Sequence, residues 1–229
     1  MKKFILGAVL LTMALTSNAS AENITYNGFF AGNYAYKNYN QDNQVKFANY
    51  PNNCTNFVSQ SIMAGFVKTK FMKTLYKKRR DFMADYGDYY DWYYLTKYDK
   101  GSTWSEANSL YRYARYTDKY DRGPNYKFKG PKFKKVTYDT PTKYLDYNKV
   151  QEGDIIFMDW HDKNGDYKPD GIMDHAFIVT LIYIHENGYN RIRVASNSID
   201  YNNEGLGDKN KEYDKKALFY VYRPTAYIK

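Results

Sequence analysis

The chain has 229 residues but only one cysteine, Cys54, so it cannot form an internal disulfide. It has three histidines and no His-Glu-x-x-His pair, and one cysteine cannot build a structural zinc site. Beyond the first 21 residues there is no apolar run long enough to span a bilayer. The sequence is therefore not typical of a disulfide-bonded, zinc-dependent or membrane-spanning protein. The single thiol needs another explanation.

Residues 1–21 have the pattern of a signal peptide. The basic head Lys2-Lys3 is followed by the apolar run Phe4–Leu15, and Ala19-Ser20-Ala21 matches the small-x-small pattern of a cleavage site. We expect a mature chain from Glu22 that is periplasmic or secreted.

Residues 22–229 fit one domain of ordinary size with a real core. The formal charge is +9, and loss of the two head lysines lowers it to +7. An anionic polymer of the cell envelope is the expected acidic partner, because no nucleic-acid-binding motif is present.

Residues 118–148 hold three of the six prolines and many lysines, which indicates a basic loop or extended insert. We expect a monomer without a cofactor.

Hydrophobic periodicity divides the chain into an N-terminal helical half and a C-terminal half of strands. The apolar spacing predicts helices over 26–39, from Cys54 to a stop at Gly65, and over 71–83, and Thr103–Glu106 reads as a capping box that begins another helix. Short β-rich runs predict strands over 155–158, 175–184, 191–196 and 217–222, with a hairpin turn at 186–188. This order predicts an α+β fold with helices packed on an antiparallel sheet.

Cys54 would occupy the first turn of its helix, after the N-cap residues Asn52 and Asn53. The helix dipole and the unpaired N–H groups there favour the thiolate, the form that attacks a carbonyl carbon. The alternative is a buried structural cysteine, because free cysteine packs as a small apolar residue.

A cysteine nucleophile needs a base and a third group that orients the base. His175 begins a predicted central strand, where a side chain can face the N-terminus of a packed helix. The neighbouring strand ends near Asn197, which an antiparallel pairing would bring beside the start of the His175 strand. Asp200 is a second option for the third group.

Several segments resemble, in the same order, the blocks of the bacterial putative-amidase domain family, a papain-like group related to CHAP and NlpC-type peptidoglycan hydrolases. They are Asn53–Gly65, Asp91–Tyr94, Ser102–Trp104, Gly153–Ile156 and Asp174–Thr180. The resemblance implies a papain-like α+β fold with Cys54 as nucleophile and His175 as base. Asn53 stands where members usually have aspartate, and Asn197 where many relatives have histidine.

The resemblance also implies acyl transfer at an amide bond of peptidoglycan or of a secreted peptide. The oxyanion would bind the backbone N–H of Cys54 and a side chain upstream, Asn49 or Asn52. Asp174, the residue before the base, is predicted to lie next to the catalytic residues. The aromatic residues of the middle blocks are predicted to line the substrate cleft; they are Trp92, Tyr93 and Trp104.

Two other functions stay open. The chain could be a catalytically silent module that binds envelope polymer, or a secreted toxin or effector with the same fold. Residues 162–170 also place oxygen ligands in an EF-hand-like spacing, through Asp162, Asn164, Asp166 and Asp170. Tyr167 stands where the calcium loop needs glycine, so a polar loop is the alternative and no metal is predicted.

Overall fold

The computed structural model describes residues 24–40, 47–83, 91–119, 130–136, 140–141, 148–160, 169–184, 190–197, 201–206 and 217–228. Helices fill the first half and strands the second, which confirms the predicted α+β class. The elements are β1 (Ile24–Thr25), α1 (Gly28–Asn38), α2 (Cys54–Val67), α3 (Met72–Phe82), α4 (Ser102–Ser105), α5 (Ala107–Lys119), β2 (Gly130–Lys135), β3 (Thr140–Pro141), β4 (Ile155–Asp159), β5 (His175–Ile184), β6 (Asn190–Ser196), β7 (Tyr201–Gly205) and β8 (Leu218–Ile228).

α2 packs closely, at a glycine, against the residues that precede α1. α1 begins after Asn27, whose side-chain oxygen accepts a first-turn backbone N–H at 3.2 Å. α2 does not stop at Gly65 as predicted but continues until Lys68 takes the left-handed conformation, with φ of 57°. A Cβ at Gly65 would lie 2.3 Å from Tyr26 Cε2. This glycine is therefore needed for close packing and not for termination.

The helix predicted to follow Thr103–Glu106 is confirmed as α5, but the predicted capping box is wrong, because the segment itself forms most of the short helix α4. The Thr103 hydroxyl donates to the Asp91 carbonyl at 2.6 Å, and the Glu106 carboxylate accepts from the Ser109 hydroxyl at 2.8 Å. Both side chains thus have partners other than the reciprocal backbone groups that a capping box requires.

All described strands belong to one antiparallel sheet with the order β1-β8-β4-β5-β6-β7, to which β2 and β3 are added by pairing with β8. Tyr222 of β8 pairs with Ile155 of β4 on one side and with Lys135 of β2 on the other. β8 is longer than predicted, and β1 and β7 were not predicted. The described part of residues 118–148 contains the end of α5 and the strands β2 and β3.

The sheet has a buried core on each face, as the two-residue period of a strand requires. Side chains packed with the helices include Phe157, Ala176 and Ile178. Their immediate neighbours in the chain face the opposite side and form a second core with Val194, Phe219 and Val221. The central strands are therefore apolar on both faces.

An ion pair between a buried carboxylate and a partly exposed arginine fixes the turn before β4 to β8. Arg223 Nε lies 2.7 Å from Asp154 Oδ1, and a second guanidinium nitrogen donates to Asp154 Oδ2 at 2.9 Å. The backbone N–H of Gln151 also donates to this carboxylate at 2.8 Å. Burial raises the pKa of Asp154, whereas its hydrogen bonds to Arg223 act in the opposite direction.

None of the helices in the described ranges has the length and apolar character needed to cross a membrane.

Candidate functional site

Cys54 is the first residue of α2, a helix whose side chains are buried from Cys54 to Phe66. The cysteine itself is 6 % exposed, and its sulfur lies 3.5 Å from the Thr55 hydroxyl. First-turn N–H groups have no partner within a helix, so the thiol sits at the positive end of the helix dipole. The structure thus gives Cys54 the first-turn position that the sequence predicted.

A chain of hydrogen bonds runs beside Cys54 through three buried or half-buried asparagines. Trp104 Nε1 donates to Asn56 Oδ1 at 2.6 Å, and Asn56 Nδ2 donates to Asn53 Oδ1 at 2.7 Å. Asn53 Nδ2 then donates to Asn197 Oδ1 at 3.0 Å, and Asn197 Nδ2 donates to the Tyr39 carbonyl at 2.5 Å. These bonds join Asn53, the residue before Cys54, to Asn197, the residue after β6.

The two ends of this amide chain determine its direction. The indole of Trp104 can only donate, and the carbonyl of Tyr39 can only accept. Each asparagine in between must therefore accept on the Trp104 side and donate on the Tyr39 side. Asn56 satisfies its remaining N–H with the Ala48 carbonyl at 2.9 Å. The three amides hold one another in a single orientation.

Asn197 lies beside the beginning of β5. Ile178 of β5 pairs with Ala195 of β6, and continuing that antiparallel register places Asn197 opposite Ala176. The Ser196 hydroxyl donates to the Ala176 carbonyl at 3.0 Å, which ties the two strands together at this point. The amide chain therefore links the start of α2 to the strand that His175 begins.

His175 is buried, with 6 % of its surface exposed, and it pairs with Met158 of β4. Its ring centroid lies 4.4 Å from that of Phe177 and 6.0 Å from that of Trp160. The imidazole therefore lies on the Phe177 side of β5, whereas α2 packs on the other side.

The other polar residues that were predicted for the site are exposed at the surface or lie outside the described ranges. Asn49 and Asn52 are exposed in the segment that leads to α2. Asp174 is exposed, and its carboxylate accepts the Trp160 backbone N–H at 2.9 Å. Asp200 lies outside the described residues.

Two of the three aromatic residues predicted for a cleft are part of the core. Trp92 and Trp104 are at most 1 % exposed, and their rings lie 4.8 Å apart. The Trp92 indole donates to the Ser59 hydroxyl of α2 at 3.1 Å. The two tryptophans pack against α2, to which both indoles donate hydrogen bonds. They are too deeply buried to form a surface that a substrate can reach. Tyr93 is half-buried against the same core.

Sequence reasoning gave no role to Asn56, although the residue falls in the block that contains Cys54. The available signal was its spacing, because a residue three positions after Asn53 lies on the same side of the helix. Its burial among apolar neighbours and its bond to Trp104 come from tertiary packing, which the sequence does not display.

A second overlooked group is Asp159, a fully buried carboxylate at the end of β4. It accepts the backbone N–H groups of Asp170 and Gly171 at 3.1 and 2.9 Å. Burial raises the pKa of Asp159, and the carboxylates of Asp174 and Asp170 add to that effect. This residue anchors the segment that leads into β5.

The residues of the EF-hand-like spacing fall mostly outside the described ranges, namely Asp162, Asn164 and Asp166. Asp170 is described, and its carboxylate accepts the Ile172 backbone N–H at 2.8 Å. Within the described ranges no three His, Cys, Asp or Glu side chains are grouped so that they could hold a metal ion.

A comparison with protein families matches residues 25–222 to the model described as a putative amidase domain. The match covers both halves of the fold, from β1 to the middle of β8, and includes Cys54, His175 and Asn197. A search of curated proteins found no match to the chain, and neither did a search of solved structures.

Proposed function

Because the chain belongs to the putative amidase domain family, we propose that it hydrolyses an amide or peptide bond with Cys54 as its nucleophile. His175 is the base in this proposal, and Asn197 is the third group, which orients the His175 imidazole. The hydrogen bond from Asn53 to Asn197 supports it most directly, because it connects the residue before the thiol to the end of β6 beside the histidine strand.

The proposed reaction is acyl transfer through a thioester. The sulfur of Cys54 attacks the amide carbonyl and loses its proton to the His175 imidazole, which then protonates the leaving amine. The same imidazole takes a proton from water, and the resulting hydroxide releases the acyl group and restores the thiol. Backbone N–H groups at the start of α2 are available to bind the oxyanion.

The proposed substrate is peptidoglycan or a secreted peptide. The signal-peptide pattern of residues 1–21 supports a periplasmic or secreted protein, and peptidoglycan is the main amide-containing polymer met there. A toxin or effector that acts on another cell would use the same chemistry on a different substrate.

The test compares wild type with Cys54→Ala on peptidoglycan and on a mixture of peptides, with products separated by mass. We expect Cys54→Ala to lower the rate by at least about a thousand-fold, because removal of a nucleophile removes the covalent step. Equal melting temperatures would show that the small change in the core left the fold intact. Equal product release by both proteins would refute the proposal.

The role of His175 is tested separately by alkylation of Cys54 across pH. We expect His175→Ala to slow alkylation near neutral pH, because the imidazole no longer takes the thiol proton. His185→Ala is the matched control, since it removes another histidine of the chain. If both variants react like wild type, His175 is not the base.

A second function, binding of an anionic envelope polymer, is favoured by α3. Its lysines Lys73, Lys77 and Lys78 are exposed, whereas Leu75 and Phe82 are buried against the core. The helix therefore presents a row of positive charges outward. Such a surface attracts polyanions with or without an active thiol.

A further inference from the structure

A pocket of about 260 Å³ lies between α1 and β5, and Cys54, His175 and Asn197 take no part in its lining. Its lining residues are Phe29, Asn33, Tyr36, Glu152, Thr180 and Leu181. The three residues from α1 are spaced four and three positions apart, so they form one face of the helix. The pocket is therefore a structural feature separate from the proposed site of hydrolysis.

A β-bulge and a close helix contact create this pocket. The register between β5 and β6 shifts between Val179 and Leu181, which leaves Thr180 as the extra residue. A Cβ at Gly32 of α1 would lie 3.0 Å from the Val179 carbonyl oxygen, so the helix backbone lies almost directly on the bulged strand. Both features belong to the packed fold, and the pocket is pre-formed.

The wall of the pocket is apolar and unusually exposed for side chains of its size. Phe29 is 59 % exposed, Tyr36 is 52 % exposed and Leu181 is 39 % exposed. Aromatic faces attract organic cations through the negative charge of their π-systems, and Leu181 provides apolar surface for an alkyl group.

The polar part of the pocket offers acceptors. Among the described residues no hydrogen bond or ion pair engages the Glu152 carboxylate, and burial raises its pKa. The amide oxygen of Asn33 is buried without a hydrogen-bond partner among the described residues. Within the part of the chain that the structure describes, no counter-charge pairs with this carboxylate, although the chain as a whole is strongly basic.

We propose that this pocket binds a primary ammonium group carried on a short alkyl chain, such as a lysine-like side chain or a small amine. The ammonium pairs with the Glu152 carboxylate and donates to the Asn33 amide, while the alkyl chain lies against Phe29, Tyr36 and Leu181. A neutral ligand of the same shape would leave the carboxylate without a counter-charge, so charge is the basis of selection.

The test uses the full chain and pentylammonium chloride, followed by NMR through the backbone amides of residues 29–36, 152 and 180–181. Titration with 1-pentanol at equal ionic strength is the neutral comparison. We expect pentylammonium to bind at least about ten-fold more tightly than pentanol, because a charge-assisted bond is lost with the alcohol. Equal binding of the two compounds, or shifts confined to other residues, would overturn the proposal.

The variant Glu152→Gln keeps the shape of the side chain and removes its charge. We expect at least about a ten-fold loss of pentylammonium affinity, with no loss of melting temperature, because the carboxylate has no stabilising partner among the described residues. Glu106→Gln makes the same change on an exposed glutamate and should bind like wild type. Unchanged binding by Glu152→Gln would overturn the proposal.

Cys54→Ala separates this pocket from the proposed catalysis, since the variant should lose hydrolysis and keep pentylammonium binding. Loss of both would show that the ligand binds at the thiol site and would overturn the separate-pocket proposal.

Discussion

At the scale of single residues, Asn53 has two hydrogen-bonding roles that a carboxylate could not fill together. Its oxygen accepts from Asn56, and its nitrogen donates to Asn197 Oδ1. An ionised aspartate can only accept, so it would face the Asn197 oxygen with a negative charge. Asn197 cannot turn its amide over in response, because its nitrogen already donates to the Tyr39 carbonyl.

We therefore predict that Asn53→Asp destabilises the protein by about 1–3 kcal/mol, the usual cost of a buried polar group without its partner. Urea unfolding at neutral pH gives the free energy of unfolding. Asn49→Asp makes the same change at an exposed position and should leave that free energy within about 0.5 kcal/mol of wild type.

The double variant Asn53→Asp/Asn197→His checks the cause of this loss. A protonated imidazole can donate both to the new carboxylate and to the Tyr39 carbonyl, so part of the stability should return. If the single variant is as stable as wild type, the direction assigned to the amide chain is wrong.

At the scale of elements, the Asp154–Arg223 pair joins the turn before β4 to the middle of β8. Arg223→Ala would leave the fully buried carboxylate of Asp154 without its counter-charge. We predict a loss of about 3 kcal/mol in the free energy of unfolding, at the lower end for a buried pair because Arg223 keeps some solvent contact. Thermal or urea unfolding measures it.

Arg112→Ala, at an exposed position of α5, is the matched control and should change stability little. Asp154→Asn combined with Arg223→Ala removes the unpaired charge and should recover part of the loss. Equal stability of Arg223→Ala and wild type would mean that the pair contributes nothing to holding β4 on β8.

Elements with a strong local pattern could be predicted from the sequence. The runs 155–158 and 175–184 gave strands because apolar residues fill both faces of a central strand, and α1 to α3 followed from helical spacing. β1 and β7 were missed because their residues carry no such pattern and depend on pairing with β8 and β6. Gly65 was misread because its closeness to Tyr26 is a tertiary contact.

The candidate site likewise has features that the local sequence predicts and features that depend on tertiary contacts. Cys54 at a helix start follows from local sequence, and so does the position of His175 at the beginning of β5. The side of the sheet to which His175 points, the burial of Trp92 and the contact of Asn53 with Asn197 depend on packing between distant segments. Those features required the structure.

At the scale of the whole molecule, the positive charge predicts salt-dependent binding to polyanions. We expect Lys73→Gln/Lys77→Gln/Lys78→Gln to weaken binding to immobilised polyglutamate and to reduce its dependence on salt, because three exposed charges of α3 are lost. Binding is measured at low and at physiological ionic strength.

Two comparisons make that experiment decisive. The triple variant Lys97→Gln/Lys134→Gln/Lys149→Gln removes the same charge from scattered exposed positions and should bind more like wild type. Cys54→Ala should bind unchanged. Equal weakening by both triple variants would show that net charge matters and that α3 has no special part.

The position of β8 in the sheet has a consequence for biosynthesis. β8 pairs with β1, β2, β3 and β4, and all of them leave the ribosome before it. Until β8 emerges, the nascent polypeptide holds several strands without the neighbour that completes their hydrogen bonding. The sheet therefore cannot close until β8 has been synthesised, and before that point the unpaired edges of these strands are open to pairing with other molecules.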